Sequence, residues 1–258
     1  MNELIRQISA VLKDSNIENY AQEARWIAGE TPDAASAMLT ARKRASGMPL
    51  QYLLGTAPFR NLMLKVDPRV LIPRPETELL AQWLIDHAPV NGKILDLGCG
   101  SGAIALATAS ERSDLSVIAA DVSCDALAVA EANAAFCKIS NVEFIHSDLF
   151  AGLSGYKFDL IGANLPYVTE EEFPSLPPEV RDYEPRLALT APDNGLALIR
   201  RCIEQLPDHL NPGGGVIFEL SPPQAKKTAQ LLTAQGLTSA ILLDLCGRER
   251  FVTGVCPA

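Results

Sequence analysis

Three short segments and one lone aspartate of this chain combine residue types at spacings that can do chemistry. The first is Asp96-Leu97-Gly98-Cys99-Gly100-Ser101-Gly102, set between an apolar run and a helical one. Its glycines let the backbone turn sharply and approach a ligand with no side chain in the way, at the strand end where open α/β folds bind cofactors. A dinucleotide fingerprint asks for another glycine where this chain has Ala103. The second signal is Asp121, 19 residues beyond Gly102 and at the end of the next apolar run. A carboxylate there can accept both hydroxyls of a ribose. Ser147-Asp148-Leu149-Phe150 follows a third apolar run, with Asp148 suited to an adenine amino group and Leu149 to the face of the ring. Each segment alone has a plainer explanation, a tight turn or a helix-capping Asp. Together they describe a pocket for an adenosine, carried by a nicotinamide cofactor or by S-adenosylmethionine.

The third segment, Asn164-Leu165-Pro166-Tyr167, directly follows the apolar run from Phe158 to Ala163. A planar amide or aromatic amine is a poor nucleophile because its lone pair is delocalised, so binding must prepare it. The Asn164 side-chain oxygen and the Leu165 carbonyl can each accept one N–H, Pro166 can hold the turn, and the Tyr167 ring can stack on the planar group. The nitrogen then faces a sulfonium methyl in a near-attack arrangement, which needs neither a metal nor a nucleophilic side chain. As an isolated Asn-x-Pro loop the segment is as readily structural as catalytic; behind a glycine loop and a ribose-type Asp it points to methyl transfer.

Alternation of strand and helix positions these segments. Lys93 to Leu97, Ser116 to Ala120, Val142 to His146, Phe158 to Ala163 and Gly215 to Leu220 read as buried strands. Ala103 to Ala109, Cys124 to Phe136 and Gly195 to Leu210 read as helices between them, the last ended by Asn211-Pro212-Gly213. Such a rhythm predicts a mostly parallel sheet covered on both faces. Thr238 to Leu245 and Phe251 to Val255 close the chain as two more strands. Ahead of this unit, Leu4, Ile5, Ile8, Val11 and Leu12, then Tyr20, Ala24, Ile27 and Ala28, recur at helical spacing. A third helix follows, capped by Thr31 and ended by Gly47 and Pro49, with one more turn over Leu50 to Leu54. From Phe59 the period becomes two. Leu62, Leu64 and Val66 predict a strand, Asp67-Pro68-Arg69 a turn, Val70 to Ile72 a return strand, and Glu76 to Asp86 the helix that opens the second unit.

Composition narrows the classes. With 258 residues, 48% hydrophobic and 21% charged, the chain has the make-up of a soluble globular protein of one or two domains. Six cysteines form no C-x-x-C pair, which argues against zinc and for a reduced, cytoplasmic setting. The charge-free stretch Leu97 to Ser110 is too short for a bilayer. Net charge is −9, and the acid is concentrated beyond residue 85, so charge does not ask for nucleic acid. The basic cluster Arg42-Lys43-Arg44 is expected as a solvated helix end. His87, His146 and His209 sit at no catalytic spacing, Cys99 suits a small buried thiol, and Glu170 to Glu172 read as a solvated loop edge where a protein substrate would approach.

On these residues the chain resembles the peptide chain release factor glutamine methyltransferases. The likeness runs through Gln51-Tyr52-Leu53-Leu54-Gly55, Leu71-Ile72-Pro73-Arg74-Pro75-Glu76-Thr77-Glu78, the glycine loop and Asp121. It continues in Tyr183-Glu184-Pro185-Arg186-Leu187-Ala188-Leu189 and Gly247-Arg248-Glu249-Arg250-Phe251. The resemblance implies a class I S-adenosylmethionine-dependent methyltransferase fold, an α/β Rossmann-like seven-stranded sheet. Residues 1–57 would form a helical substrate-recognition domain, 58–75 a β-hairpin linker and 76–258 the catalytic domain. It implies methylation of the glutamine N5 in the Gly-Gly-Gln loop of release factors 1 and 2, by a cytoplasmic monomer that leaves S-adenosyl-L-homocysteine. Gly98, Cys99, Gly100, Ser101, Gly102, Asp121, Leu149 and Asn164 would hold the cofactor, and Asn164, Leu165, Pro166 and Tyr167 the substrate.

Two departures stand out. The family has Asn-Pro-Pro-Tyr where Leu165 replaces the first proline; leucine still offers its carbonyl, and the form resembles ribosomal RNA adenine dimethyltransferases. The family also has glycine in place of Ser221, a change expected in the pocket wall. An N6-adenine methyltransferase acting on RNA or DNA, and a cofactor-binding scaffold without turnover, are the competing readings.

Overall fold

The computed structural model describes residues 2–257; residues 1 and 258, the outermost of the expected domains, lie outside the described residues. The chain opens with α1 (Asn2–Asp14), α2 (Tyr20–Glu30), α3 (Ala34–Ala45) and the short α4 (Leu50–Leu54). Ile8, Leu12, Ala24, Ile27, Ala37, Ala41 and Leu50 form their common core, the helical periodicity having turned one apolar stripe of each inward. Thr31 does not cap α3. Its hydroxyl bonds the Ile27 carbonyl and ends α2, while Asp33 caps α3 by accepting the Ser36 N–H at 2.8 Å. A carboxylate set directly before the first turn is the better acceptor there. Nor is Arg44 solvated: it is buried, donating to Glu23 at 2.7 Å and to Glu179 at 2.7 Å. Burial of its stem is offset by a carboxylate on each side.

β1 (Thr56–Phe59) and β2 (Leu62–Lys65) then form an antiparallel hairpin in which Phe59 pairs with Leu62. The hairpin's own turn therefore falls at Arg60-Asn61, with Arg60 left-handed at φ 49°; Asp67-Pro68-Arg69 does turn, the Val70 N–H donating to the Asp67 carbonyl at 3.1 Å, but joins no two strands. The expected return strand Val70 to Ile72 is an irregular segment instead. Its backbone groups are satisfied by side chains: Tyr52 donates to the Val70 carbonyl at 2.6 Å and Glu184 accepts the Ile72 N–H at 3.2 Å.

The second unit runs α5 (Thr77–His87), β3 (Lys93–Leu97), α6 (Ala103–Glu111), β4 (Ser116–Asp121), α7 (Cys124–Cys137), β5 (Val142–His146) and β6 (Phe158–Ala163). It continues with α8 (Pro178–Arg181), α9 (Ala197–His209), β7 (Leu210–Glu219), α10 (Pro222–Ala234), β8 (Thr238–Leu243) and β9 (Glu249–Val255). Seven strands lie in the order β5-β4-β3-β6-β7-β9-β8, all parallel except β9, which runs antiparallel to both neighbours. Asn211-Pro212-Gly213 does not interrupt the sheet. These residues lie in β7, which starts at Leu210, and an irregularity opposite Phe158 and Leu160 absorbs them. Pro222-Pro223 opens α10, a helix not foreseen, because proline suits a first helical turn.

The hairpin belongs to this second core. Phe59 and Leu64 are fully buried among side chains of α5, α6 and the sheet. Asn133 of α7 accepts the Lys65 N–H at 2.6 Å and donates to the Lys65 carbonyl at 2.9 Å and the Ser101 carbonyl at 3.0 Å. One buried amide thus ties the hairpin to the glycine loop.

Candidate active site

β3 sits beside both β4 and β6, so the chain order reverses there, and in the register Leu97 lies opposite Ala163. Crevices at such reversal points are where open α/β sheets bind ligands. The topology thereby brings the loop after β3 against the loop after β6, although 61 positions separate Ala103 from Asn164.

The glycine loop is held by its backbone. The Gly98 and Cys99 N–H groups donate to the Ala120 carbonyl at 2.8 and 3.0 Å. Gly98 has φ +79°, and a Cβ there would stand 3.1 Å from the Leu165 side chain. Glycine is needed both for the turn and for Leu165 to lie against it. Asp121 accepts the Gly100 N–H and the Ser123 N–H, each at 2.9 Å. Burial raises its pKa against the pull of those N–H groups. Beneath the loop, Asp96 is wholly buried; one oxygen accepts the Ala105 N–H at 2.9 Å and the other has no partner. Burial pushes this carboxyl up to about 7, with the Asp121 charge adding to the shift.

At the end of β6 the Asn164 side-chain nitrogen donates to the Thr77 hydroxyl at 3.2 Å, which leaves its oxygen for another donor. Behind Thr77 lies Glu219, the last residue of β7, 2% exposed and with one oxygen unpartnered. Burial lifts Glu219 to about 7, opposed by the Thr77 hydroxyl and Arg250.

A cavity of about 310 Å³ joins these parts. Of the residues singled out from sequence, Gly98, Cys99, Gly100, Ser101, Asp121, Leu149, Asn164, Leu165 and Pro166 line it. Gly102 does not; it precedes α6 and packs on Ala130. Tyr167 does not line it either: its hydroxyl lies near Glu219, Arg250, Arg74 and Glu76, and its carbonyl accepts from Gln224 at 2.8 Å. Ser221, expected in the pocket wall, stands outside the lining and caps α10, its N–H bonding the Gln224 side chain at 3.1 Å. Asp148 lines the cavity and pairs with Arg201 at 3.0 Å. His87 and His209 bond the backbone carbonyls of Trp83 and Tyr156 away from the site, while His146 bonds that of Val122, a residue of the cavity lining. Cys99 is buried, which raises its thiol pKa. Glu170, Glu171 and Glu172 are exposed, and Glu170 pairs with Arg186.

Periodicity did not reveal the opposite wall. Val70, Pro73 and Arg74 come from the irregular segment after the hairpin, and Pro185 and Leu187 from the stretch before α9. Glu184 joins the two, accepting from Arg74 at 2.6 Å and from the Ile72 N–H. The available signal was the proline-rich run with its charges, a shape without a period.

The donor set fits an adenosyl sulfonium. The Asp121 carboxylate gives the cavity an acidic side for a ribose, with buried Asp96 beneath the loop behind it, and Ile104, Leu149 and Leu165 give it apolar surface for a flat ring.

A Rossmann-like seven-stranded sheet with this loop at its reversal point defines a class I methyltransferase, and residues 75–175 match the family described as Methyltransferase small domain. Release factor glutamine methyltransferases from Vibrio cholerae and Coxiella burnetii are 40% and 36% identical to it, over 87% and 95% of this chain and 79% and 88% of theirs. The chain belongs to the release factor glutamine methyltransferase family. Among solved structures, a ribosomal protein L11 methylase from Lactobacillus delbrueckii subsp. bulgaricus aligns with TM-score 0.53 and 26% identity, over 75% of this chain and 84% of that one. Among the described residues no helix is long and apolar enough to cross a membrane, and no cluster of metal-binding side chains occurs.

Proposed function

We propose that the protein methylates the side-chain amide nitrogen of the glutamine in the Gly-Gly-Gln loop of release factors 1 and 2, using S-adenosylmethionine. It would do so as a monomer in the cytoplasm. The observation that carries this reading is the Asn164 amide: its nitrogen is engaged by Thr77, so its oxygen is the free group at the cavity. That oxygen and the Leu165 carbonyl are two acceptors at the corner after β6, the number that one NH2 group requires. With both hydrogens held, the substrate nitrogen presents its remaining face to the glycine-loop side. Pro166 keeps the corner bent, and the Gln224 bond to the Tyr167 carbonyl anchors it from behind, a role for Tyr167 other than stacking. When bound, S-adenosylmethionine supplies a methyl carbon activated by a sulfonium. Gly98 to Ser101 and Leu149 would cradle it, and Asp96 and Asp121 would favour its positive charge. Alignment of a weak nucleophile is the protein's main contribution. In this reading the α1–α4 bundle recognises the release factor, with Trp26 and Leu39 exposed on it.

Labelled S-adenosylmethionine, offered with a release factor, its Gln→Ala loop variant and structured RNA in parallel reactions, tests the proposal. Label on the unaltered release factor alone is expected. Label on RNA would favour the adenine methyltransferase, and binding without label a scaffold.

A further inference from the structure

A hydroxyl can donate or accept, and so can a side-chain amide when it flips. Asn164 holds an acceptor toward the cavity only while its nitrogen is turned the other way, and turning it there requires a neighbour that accepts. Thr77, the first residue of α5, stands at 3.2 Å from that nitrogen. Its hydroxyl oxygen is a dependable acceptor only if its own proton is drawn elsewhere. Glu219 is on the other side, close enough for the Thr77 hydroxyl to favour its carboxylate form. A carboxylate accepts and does not donate, so an ionised Glu219 fixes the direction of the whole chain of bonds.

We infer that Thr77 and Glu219 are positioning residues for methyl transfer: Glu219 takes the Thr77 proton, Thr77 takes the Asn164 N–H, and the Asn164 oxygen is thereby committed to the substrate amide. The inference rests on the role proposed for Asn164 and adds what sets its orientation. Glu219 is buried where a carboxyl has little other reason to be, and its second oxygen has no partner. The groups facing it are Arg250 of β9, Arg74 and Glu76 ahead of α5, and the Tyr167 hydroxyl after β6. Burial lifts its pKa to about 7 and Glu76 adds to this, while Thr77, Arg250 and Arg74 oppose it. Above that pH the carboxylate directs the chain; below it a Glu219 proton can donate to Thr77, which then donates to Asn164 and frees the amide to turn over.

Four variants test this with release factor as substrate and saturating S-adenosylmethionine: Thr77→Val, Thr77→Ser, Glu219→Gln and Asn164→Ala. Thr77→Val keeps the shape and removes the hydroxyl. It should lower kcat by about tenfold to a hundredfold, the cost of one misdirected hydrogen bond, while KM for the release factor and Kd for S-adenosylhomocysteine stay within about twofold. Thr77→Ser should recover most of the loss. The parent kcat should fall as pH drops from about 8 to about 6, and Glu219→Gln should lose that acid limb. Asn164→Ala serves as the reference. If it turns over normally, the role proposed for Asn164 fails; if it is inactive while Thr77→Val keeps the parent kcat, only the present inference fails. A Thr77→Val loss that Thr77→Ser does not restore, or that appears in Kd for S-adenosylhomocysteine, would mean a cavity-wall role and overturn it. Should Thr77→Val not fold, the Thr77→Ser and Glu219→Gln pH profiles decide: an acid limb unchanged in Glu219→Gln overturns the inference.

Discussion

Replacing Asp96 by asparagine should separate what the ligand-free fold tolerates from what the cofactor requires. The carboxyl is wholly buried, with one oxygen on the Ala105 N–H and the other unpartnered. Its pKa rises from 3.8 to about 7, chiefly through burial. At about 1.4 kcal/mol per unit, holding it ionised inside the empty fold costs about 4 kcal/mol. The sign follows from the raised value. The carboxyl's contribution to stability is full below the unfolded value of 3.8 and is lost as pH rises through about 7. Asparagine still accepts from Ala105 and cannot ionise, but its NH2 adds a buried donor without a partner, a cost of about 2 kcal/mol. Asp96→Asn should therefore stabilise the ligand-free protein by about 2 kcal/mol at pH 8 and destabilise it at pH 4, as read by urea denaturation at each pH. Calorimetry should show S-adenosylmethionine binding at least about tenfold more weakly, since the anion beneath the glycine loop is gone. A variant no more stable than the parent at pH 8, or one that binds S-adenosylmethionine equally well, would refute the reasoning.

Arg44→Ala should cost about 3 kcal/mol in chemical denaturation because it strands buried Glu23, whereas Glu179→Ala, whose carboxylate is 44% exposed, should cost less than about 1 kcal/mol. Gly195→Ala should be severe. Its φ is +76° and the new Cβ would run into the Tyr167 carbonyl and the Gln224 amide, so the loss of about 3 kcal/mol in unfolding experiments should be accompanied by loss of turnover. Asn133→Ala should cost about 3 kcal/mol by leaving Lys65 and Ser101 backbone groups unpaired, and cofactor binding followed by calorimetry should weaken with it.

The catalytic sheet was legible because buried parallel strands are continuous apolar runs and the turns between them carry glycine and aspartate at fixed offsets. Gly98, Asp121 and Asn164 stand at strand ends for that reason, and the alternation of elements brings such ends to one side of the sheet. What failed to show was local competition and distant company. Thr31 and Asp33 both suit a helix cap, and only the placement of the turn decides between them. Asp67-Pro68-Arg69 forms the turn it signals, yet the hairpin closes at Arg60-Asn61, where Phe59 can reach the sheet core. Arg44 looked like one of three solvated cations because Glu179 lies 135 positions away. Thr77 and Asn164 are 87 positions apart, and Arg74 and Glu184 are 110 apart. No spacing rule joins such residues; the packing of α5 against β6 is what brings Thr77 to Asn164.

The hairpin's place in the sheet core also decides where the molecule divides. Since Phe59 and Leu64 are buried with α5 and α6, the natural seam runs near Gly55, before the hairpin and not after it. A cut there would part the bundle from the catalytic half at one peptide link, the Arg44–Glu179 clasp and the hydroxyl bonds of Tyr52 to the Val70 carbonyl and of Tyr183 to the Ser46 carbonyl. A cut after Arg74 would strip away a cavity wall and unplug the core. Module exchange, by recombination or at the bench, should therefore carry the hairpin with the catalyst and leave only the four helices free to be traded for another recognition head.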